Sequence, residues 1–200
     1  MPEIEEKARL TMNEESTFET ETPRGDHVFK WAFEIKSWLR DILVAFAIAV
    51  FIVVFVIQPV KVEGTSMQPR LADQERIFVN RFVYQFADIA RGDVVVFSYP
   101  RDPSKSFIKR VLGVPGDEIE IRDGAVVVNG ERVEEPYIKP EYMDARSFPK
   151  VVVPEGEYFV LGDHRNSSND SRNWGFVAER LIYGKAFFSY WPVDRAGRVK

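Results

Sequence analysis

One uninterrupted apolar run limits the folds available to this chain more than any other feature of its sequence. The run covers residues 42–57, sixteen residues without a polar side chain. A helix of that length measures about 24 Å, and extension at both ends brings it to the hydrocarbon thickness of about 30 Å. Trp38 and Arg40 suit the headgroup region at one end, and Pro59 is expected to end the helix at the other. The run predicts one transmembrane helix over residues 34–60.

Two other interpretations of the run remain open beside the anchor. It could be a buried helix of a soluble protein, although few globular folds leave such a run without polar residues. It could also be a cleaved secretory signal. That interpretation fits poorly, because about forty residues precede the run and no small-x-small cleavage pattern follows it.

The charges near the run predict its orientation. Lys30, Lys36 and Arg40 precede it, and basic flanks tend to remain in the cytoplasm. Basic residues also follow the run, which weakens this argument. Residues 1–33 are rich in glutamate and predict a cytoplasmic acidic tail without a packed structure. We therefore expect a single-pass protein of the cell's inner or plasma membrane, with residues 61–200 outside the cytoplasm.

The region beyond the run is typical of a β-rich domain. Short β-rich segments alternate with turn signals, and Asp123-Gly124 and Asn129-Gly130 each lie between β-branched segments. Such pairs are the strongest short-range signal for a hairpin. Helical periodicity is weak, apart from possible short helices around residues 80–89 and 177–182. The predicted fold is mainly β, an antiparallel β-sheet domain over residues 61–200 preceded by one transmembrane helix.

Composition excludes several classes of function. The chain has no cysteine and a formal net charge of −4. The missing thiols rule out disulfides, zinc-thiolate sites and cysteine nucleophiles, and the charge argues against a nucleic-acid partner. The sequence contains no metal-ligand cluster, phosphate-binding glycine loop or nucleotide motif, so we predict no cofactor and no metal.

Ser66 and Lys109 are the candidate catalytic residues. A serine hydroxyl is a poor nucleophile until a base removes its proton, and a lysine can do so only when its amine is neutral. Lys109 lies in the strand-like segment Phe107–Leu112, and burial can lower a lysine pKa by about 3–5 units. Either residue alone is more often structural, because strand lysines commonly extend to water and serines beside glycine commonly form turns. Together they favour a Ser-Lys enzyme.

Three segments then point to a known family. In order after the apolar run, they resemble the bacterial type I signal peptidases, membrane-bound serine proteases that remove signal peptides from exported proteins. The resemblance covers residues 34–192. The segments are GTSMQPRL at residues 64–71, RGDVVVF at 91–97 with IKRVLGVPGD at 108–117, and GDHRNSSNDSRNWGFV at 162–177.

The resemblance implies a role for individual residues. Ser66 matches the nucleophile and Lys109 the general base. Ser168 matches a second serine whose hydroxyl bonds the lysine amine and holds its direction. Four charged residues match the polar scaffold of the site, and we expect their main role to be holding a loop. They are Asp163, Arg165, Asp170 and Arg172.

Two positions depart from the family pattern. Gly64 stands where some members have a serine that helps to bind the oxyanion, so the oxyanion is expected to rely on the Ser66 backbone N–H and other donors, with Thr65 as a conceivable substitute. The loss of one such donor can cost roughly 100–1000-fold in rate. Arg70 stands where the family often has threonine, which is expected to alter the turn or a nearby pocket.

The resemblance also implies the partners. The substrates would be preproteins with signal peptides, bound in extended form as an added β-strand, with small residues at the first and third positions before the cut. Ser66 follows Ile57 by nine residues, so an extended connection keeps it within about 30–32 Å of the end of the apolar run. The enzyme would thus work next to the lipid bilayer.

Two alternative functions remain. In the first, His164 replaces Lys109 as the base of a Ser-His protease, since His27, the other histidine, precedes the apolar run. The second is a membrane-tethered β module that binds extended peptides and has no catalytic activity. A cleavage assay with a labelled preprotein separates this module from both enzymes.

Overall fold

The computed structural model describes residues 26–199 and, within them, the side chains of residues 34–51 and 56–199. The chain divides between Ile48 and Ala49 into two compact units. Residues 1–25 of the predicted acidic tail, which covers residues 1–33, lie outside the described residues.

A helix, α1, spans Asp26–Phe55. It includes residues 26–33 of the predicted acidic tail, whose side chains lie outside the described part. Its described apolar side chains are largely exposed, among them Trp38 and Phe46. Among the helices of the described residues, none combines the length and apolar character that crossing a bilayer demands.

The helix ends earlier than the sequence predicts. The last residues of the predicted range 34–60 form a strand, because β1 occupies Ile57–Lys61. The same range includes residues 52–55, whose side chains lie outside the described part. Pro59 explains the early end. A proline disfavours the helical conformation in the residue before it and lacks the N–H that a helix needs, whereas an edge strand accepts it.

Two antiparallel sheets contain all the strands of the described residues, which confirms the mainly β prediction. The larger sheet has eight strands in the order β1-β2-β11-β3-β4-β9-β10, with β12 paired to β11, and the smaller has four in the order β7-β6-β5-β8. The remaining strands are β2 Arg76–Asn80, β3 Val94–Tyr99, β4 Asp102–Gly113, β5 Glu118–Arg122, β6 Ala125–Val128, β7 Glu131–Arg132, β8 Phe148–Val152, β9 Glu157–Leu161, β10 Val177–Ala178, β11 Ile182–Trp191 and β12 Gly197–Arg198.

The predicted hairpins are confirmed. Asp123-Gly124 joins β5 to β6, and Asn129-Gly130 joins β6 to β7. All four residues have positive φ, from 49° to 86°, as a turn that matches the strand twist requires. The expected short helices are single 3₁₀ turns at Val83–Gln85 and Glu179–Leu181. A second α-helix, α2, spans Ser171–Trp174.

Buried apolar side chains attach the turn that carries Ser66 to the larger sheet. Met67 and Leu71, from the turn after β1, pack in one cluster with Val79 of β2 and Val94 of β3. Truncation of a leucine buried like Leu71 to alanine typically costs about 2–5 kcal/mol. A second cluster packs strand residues of the larger sheet, such as Leu161, against the smaller sheet. The larger sheet is therefore covered, and the turn after β1 is fixed to it.

Candidate active site

Ser66 lies in a tight turn that two buried side chains hold in place. The turn closes through a hydrogen bond from Leu71 N to Met67 O of 2.8 Å, and both side chains are at most 2% exposed. Gly64 precedes it with φ +94° and donates its N–H to Asp73 Oδ1 at 2.8 Å. Because that φ favours glycine, the absence of a side chain at this position has a conformational reason.

Lys109 lies on β4, a long strand at the middle of the larger sheet, and its side chain is directed at Ser66. Its Nζ lies 2.7 Å from Ser66 Oγ and donates to Ile108 O at 3.1 Å. Lys109 is 4% exposed. The structure thus brings together the two residues that the sequence analysis named as nucleophile and base.

Burial is the main influence on the Lys109 amine. It lowers the pKa of Lys109 from 10.5 to about 8, while the negative charges of Asp170 and Asp163 act in the opposite direction. The Phe107 ring, 5.3 Å from Nζ, also favours the ammonium form. Near pH 8 a substantial fraction of the amine is therefore neutral and able to accept a proton.

Arg110 points to the other face of β4, as expected for consecutive strand residues. Its Nε and Nη2 donate to the two oxygens of Asp163 at 2.8 and 2.7 Å, and both side chains are at most 2% exposed. Its guanidinium also stacks on the Tyr137 ring at 4.0 Å. Asp163 therefore ties the loop after β9 to the strand that carries the lysine.

The other predicted scaffold residues form a second group of ion pairs. Arg172 donates to Asp170 at 2.8 Å and to Asp144 at 2.9 Å. Arg165 pairs with Glu135, donating from Nη1 at 2.9 Å. These contacts fasten the segment 162–174 to residues that follow the smaller sheet's hairpins.

Ser168 is close to the pair but does not bond it. Its side chain is buried, and its Oγ has no hydrogen-bond partner among the described residues. The hydrogen bond to Lys109 that the resemblance implies is therefore not present in this structure. Ser168 Oγ instead packs against Gly162, where an added Cβ would lie 2.2 Å from it and 2.5 Å from Ser66 O.

His164 does not face the Ser66 hydroxyl. Its Nδ1 lies 3.0 Å from Thr65 O, and its ring packs edge-on against Tyr142 at 4.7 Å. Its backbone N–H donates to Ser66 O at 3.0 Å. The ring therefore supports the chain next to Ser66, and this geometry does not favour His164 as the base.

A cleft of about 420 Å³ opens onto Ser66 and Lys109. One wall is the segment 60–64 at the edge strand β1, and the other is the segment 106–109 of β4. Most of the lining is apolar, and Asn169 contributes an amide. Two backbone walls that flank a narrow apolar cleft suit an extended peptide, which can pair its main chain and place alternate side chains in the cleft.

Three residues of this arrangement are not apparent from the sequence. Glu135, Tyr137 and Asp144 contact Arg165, Arg110 and Arg172 respectively. The alternation along β4 could have placed Arg110 on the buried face opposite Lys109 and so required a carboxylate partner. Its partner Asp163 lies 53 residues further along the chain, so the sequence does not show which carboxylate Arg110 contacts. No group of three or more potential metal ligands occurs among the described residues.

Comparison with known proteins supports the motif-based resemblance. The family model described as signal peptidase, peptidase S26, matches residues 35–191. A probable signal peptidase I-2 of Synechocystis sp. is 38% identical over 171 residues, 81% of this chain and 77% of that protein. Signal peptidase I of Bacillus amyloliquefaciens is 36% identical over 201 residues, 96% of this chain and 100% of that protein.

A solved structure also matches. The crystal structure of a signal peptidase I from Enterococcus faecalis V583 aligns with a TM-score of 0.44 and 32% identity, covering 50% of this chain and 97% of that chain. The family model and the two relatives place the protein among the hydrolases that cut peptide bonds. More narrowly, the chain belongs to the bacterial type I signal peptidase family.

Proposed function

We propose that this protein is a membrane-anchored serine endopeptidase that removes signal peptides from exported preproteins, with Ser66 as nucleophile and Lys109 as general base. One observation carries the proposal. A lysine that is 4% exposed lies with its Nζ 2.7 Å from Ser66 Oγ, and burial lowers the pKa of that amine to about 8. This is the arrangement that a neutral-amine base requires.

The chemistry follows from that arrangement. The neutral Lys109 amine takes the Ser66 proton while Oγ attacks the scissile carbonyl. The resulting ammonium then returns a proton to the leaving amine, and water hydrolyses the acyl-enzyme by the same route in reverse. Ser168 is buried beside the pair and has no partner within the described residues, so its hydroxyl is available to orient the amine during these transfers.

The oxyanion is assigned to the backbone. No hydrogen bond from the Ser66 N–H occurs among the described contacts, which leaves that donor available. Gly64 supplies no hydroxyl, and its φ of +94° makes a side chain there costly. A backbone donor that is fixed in advance needs no reorganisation when negative charge develops on the substrate oxygen.

The cleft supports the proposed substrate class. Alternate residues of an extended peptide face the same way, so the first and third positions before the cut share one wall of the cleft. Val62 and Ile108 line it near Ser66. A shallow apolar wall accepts small residues such as alanine, and signal peptides with that pattern are the proposed substrates.

Membrane attachment is part of the same proposal. The proposed single span is the part of the predicted range 34–60 that lies in α1, residues 34–55, with the amino terminus in the cytoplasm and the β domain outside it. Nine residues separate Ile57 from Ser66, which keeps the nucleophile within about 30–32 Å of the end of the run. A signal peptide held in the same bilayer would present its cleavage site in that zone.

Cleavage of a labelled preprotein by the purified full chain tests the assignment. Ser66→Ala and Lys109→Met should each lower the rate more than about 10³-fold, because each removes a reacting group. Lys105→Met is the matched control, since Lys105 lies on the same strand with an exposed side chain. Activity retained in either site variant would refute the dyad. Peptide binding by the wild type without cleavage would instead indicate the non-catalytic module.

A further inference from the structure

A second, smaller cavity lies on the far side of the turn that carries Ser66. Its volume is about 290 Å³, and it shares no lining residue with the cleft. Pockets for drug-sized ligands start at about 300 Å³, so this cavity suits a small ion better than a peptide. Its lining residues are Pro69, Arg70, Glu75, Ser189, Asp194 and Arg195.

Two buried groups of this cavity lack hydrogen-bond partners among the described residues. They are Arg70 Nε and Ser189 Oγ, and Ser189 is 2% exposed. The Arg70 guanidinium also makes no ion pair with any described residue. An arginine Nε can only donate, so the group that would satisfy this site is an acceptor.

Two cations and two carboxylates of the described residues line the cavity, and neither carboxylate forms an ion pair with Arg70. Glu75 is committed elsewhere, because it accepts from Arg195 Nε at 3.0 Å and from Ala72 N at 2.8 Å. Asp194 is exposed and forms no ion pair among the described contacts. Burial, reinforced by the positive charge of Arg110, holds the pKa of Arg70 below its ordinary value, although the charges of Glu75 and Asp163 act in the opposite direction. A negative partner at Arg70 would further stabilise its charged form.

We propose that this cavity binds a phosphate group through Arg70 and Ser189, either inorganic phosphate or the phosphomonoester headgroup of a lipid. A guanidinium matches a tetrahedral oxyanion well, because its planar fork can donate to two oxygens at once. The Ser189 hydroxyl supplies a further donor. The arginine at position 70, a departure from the family pattern, thereby acquires a role.

Phosphate binding would reinforce the turn that carries the nucleophile. Arg195 Nη2 already donates to Pro69 O at 2.8 Å, which ties the turn to the segment after β11. A phosphate bridging Arg70 to Ser189 of β11 would add a second link. We therefore expect binding to stabilise the fold while leaving the chemistry at Ser66 unchanged, so the inference does not depend on the proposed function.

Thermal unfolding of the full chain in a phosphate-free detergent tests the site. Sodium phosphate from 0 to about 10 mM is compared with sodium chloride at equal ionic strength. We expect a saturable rise in Tm of roughly 3–6 °C with phosphate alone, because a ligand stabilises the state that binds it. A general salt effect would not saturate at these concentrations.

Matched variants decide whether the effect belongs to the cavity. Arg70→Met and Ser189→Ala should each reduce the phosphate response to that of chloride, and Asp194→Asn should enlarge it by removing a negative charge at the mouth. Arg76→Met is the control, because Arg76 is an exposed arginine outside the cavity and should keep the full response. Equal responses of the wild type to phosphate and chloride, when combined with no response to phosphatidate in the second arm, overturn the proposal, as does a full response in both cavity variants.

The source of the phosphate is resolved in a second arm. The same detergent is doped with phosphatidate or with diacylglycerol, which lacks the phosphate. A rise in Tm with phosphatidate but not with free phosphate supports a lipid ligand, and the reverse supports the soluble ion. A response to neither probe overturns the site.

Discussion

At the scale of single residues, the two consecutive basic side chains of β4 have opposite environments. Arg110 cannot be deprotonated under ordinary conditions and is buried against a carboxylate, Asp163, that matches its planar fork of donors. Lys109 is almost as deeply buried, but its Nζ meets a hydroxyl and a carbonyl and no carboxylate. Only the lysine can release its proton. Because consecutive side chains of a strand point to opposite faces, Arg110 becomes a structural cation and Lys109 a titratable amine.

The pH dependence of cleavage follows from this difference. Because the amine must be neutral to accept the Ser66 proton, kcat/KM should rise as pH increases through about 8, the lowered pKa of Lys109, and fall about tenfold per unit below it. A pH series of kcat/KM on a short peptide measures this. Lys109→Arg, which stays charged throughout, should be inactive at every pH. A rate that is constant between pH 6 and 9 would contradict a lysine base.

The sequence predicted these residues better than it predicted their contacts. Ser66 and Lys109 were placed together from motif and chemistry, and the structure brings them to hydrogen-bond distance. The bond from Ser168 to Lys109 was expected and is absent here, because Ser168 Oγ packs against Gly162. The spacing of a motif does not predict which rotamer a side chain adopts. The residue types of a motif, in contrast, follow directly from the chemistry that they perform.

At the scale of elements, the sequence predicted the local turns but not the pairing of distant strands. Asp123-Gly124 and Asn129-Gly130 predicted their hairpins because both pairs accept the positive φ that such turns require. The pairing of β2 with β11 joins segments about a hundred residues apart, which no local pattern encodes. The end of α1 was misplaced because the apolar run continues past Phe55 into β1 without a change in polarity.

Gly162, directly after β9, packs closely against the turn that carries Ser66. A Cβ added at Gly162 would lie 2.5 Å from Ser66 O, a backbone atom that can move only with its turn. Gly162→Ala should therefore lower kcat/KM about 100-fold or more, since a displacement near 1 Å suffices for that loss. Gly197→Ala is the control, because no atom lies within 4 Å of its added Cβ. Equal activity of the two variants would contradict this close packing.

At the scale of the whole β domain, a largely buried ion pair joins the segment 162–174 to the chain that follows the smaller sheet's hairpins. The side chains of Arg165 and Glu135 are 4% and 10% exposed, so loss of one partner leaves a charge with little solvent. Glu135→Gln should lower the free energy of unfolding by about 3–5 kcal/mol in a urea titration. Glu118→Gln breaks the exposed pair with Lys150 and should cost less than about 1 kcal/mol. Similar losses in both variants would contradict a structural role for the buried pair.

The proposed membrane anchor can be tested by placing charges in the apolar run. Phe46→Asp with Val50→Asp places two charges on one face of the apolar run, each costing about 2.5–3.5 kcal/mol near a bilayer centre. The double variant should lose liposome flotation and cleave a bilayer-embedded preprotein at least about tenfold more slowly, because the shared membrane no longer concentrates enzyme and substrate. Cleavage of a short soluble peptide should stay within about threefold, since the variant leaves Ser66 and Lys109 intact. Ser37→Asp, outside the run, is the control, and unchanged flotation of the double variant would place the membrane attachment elsewhere.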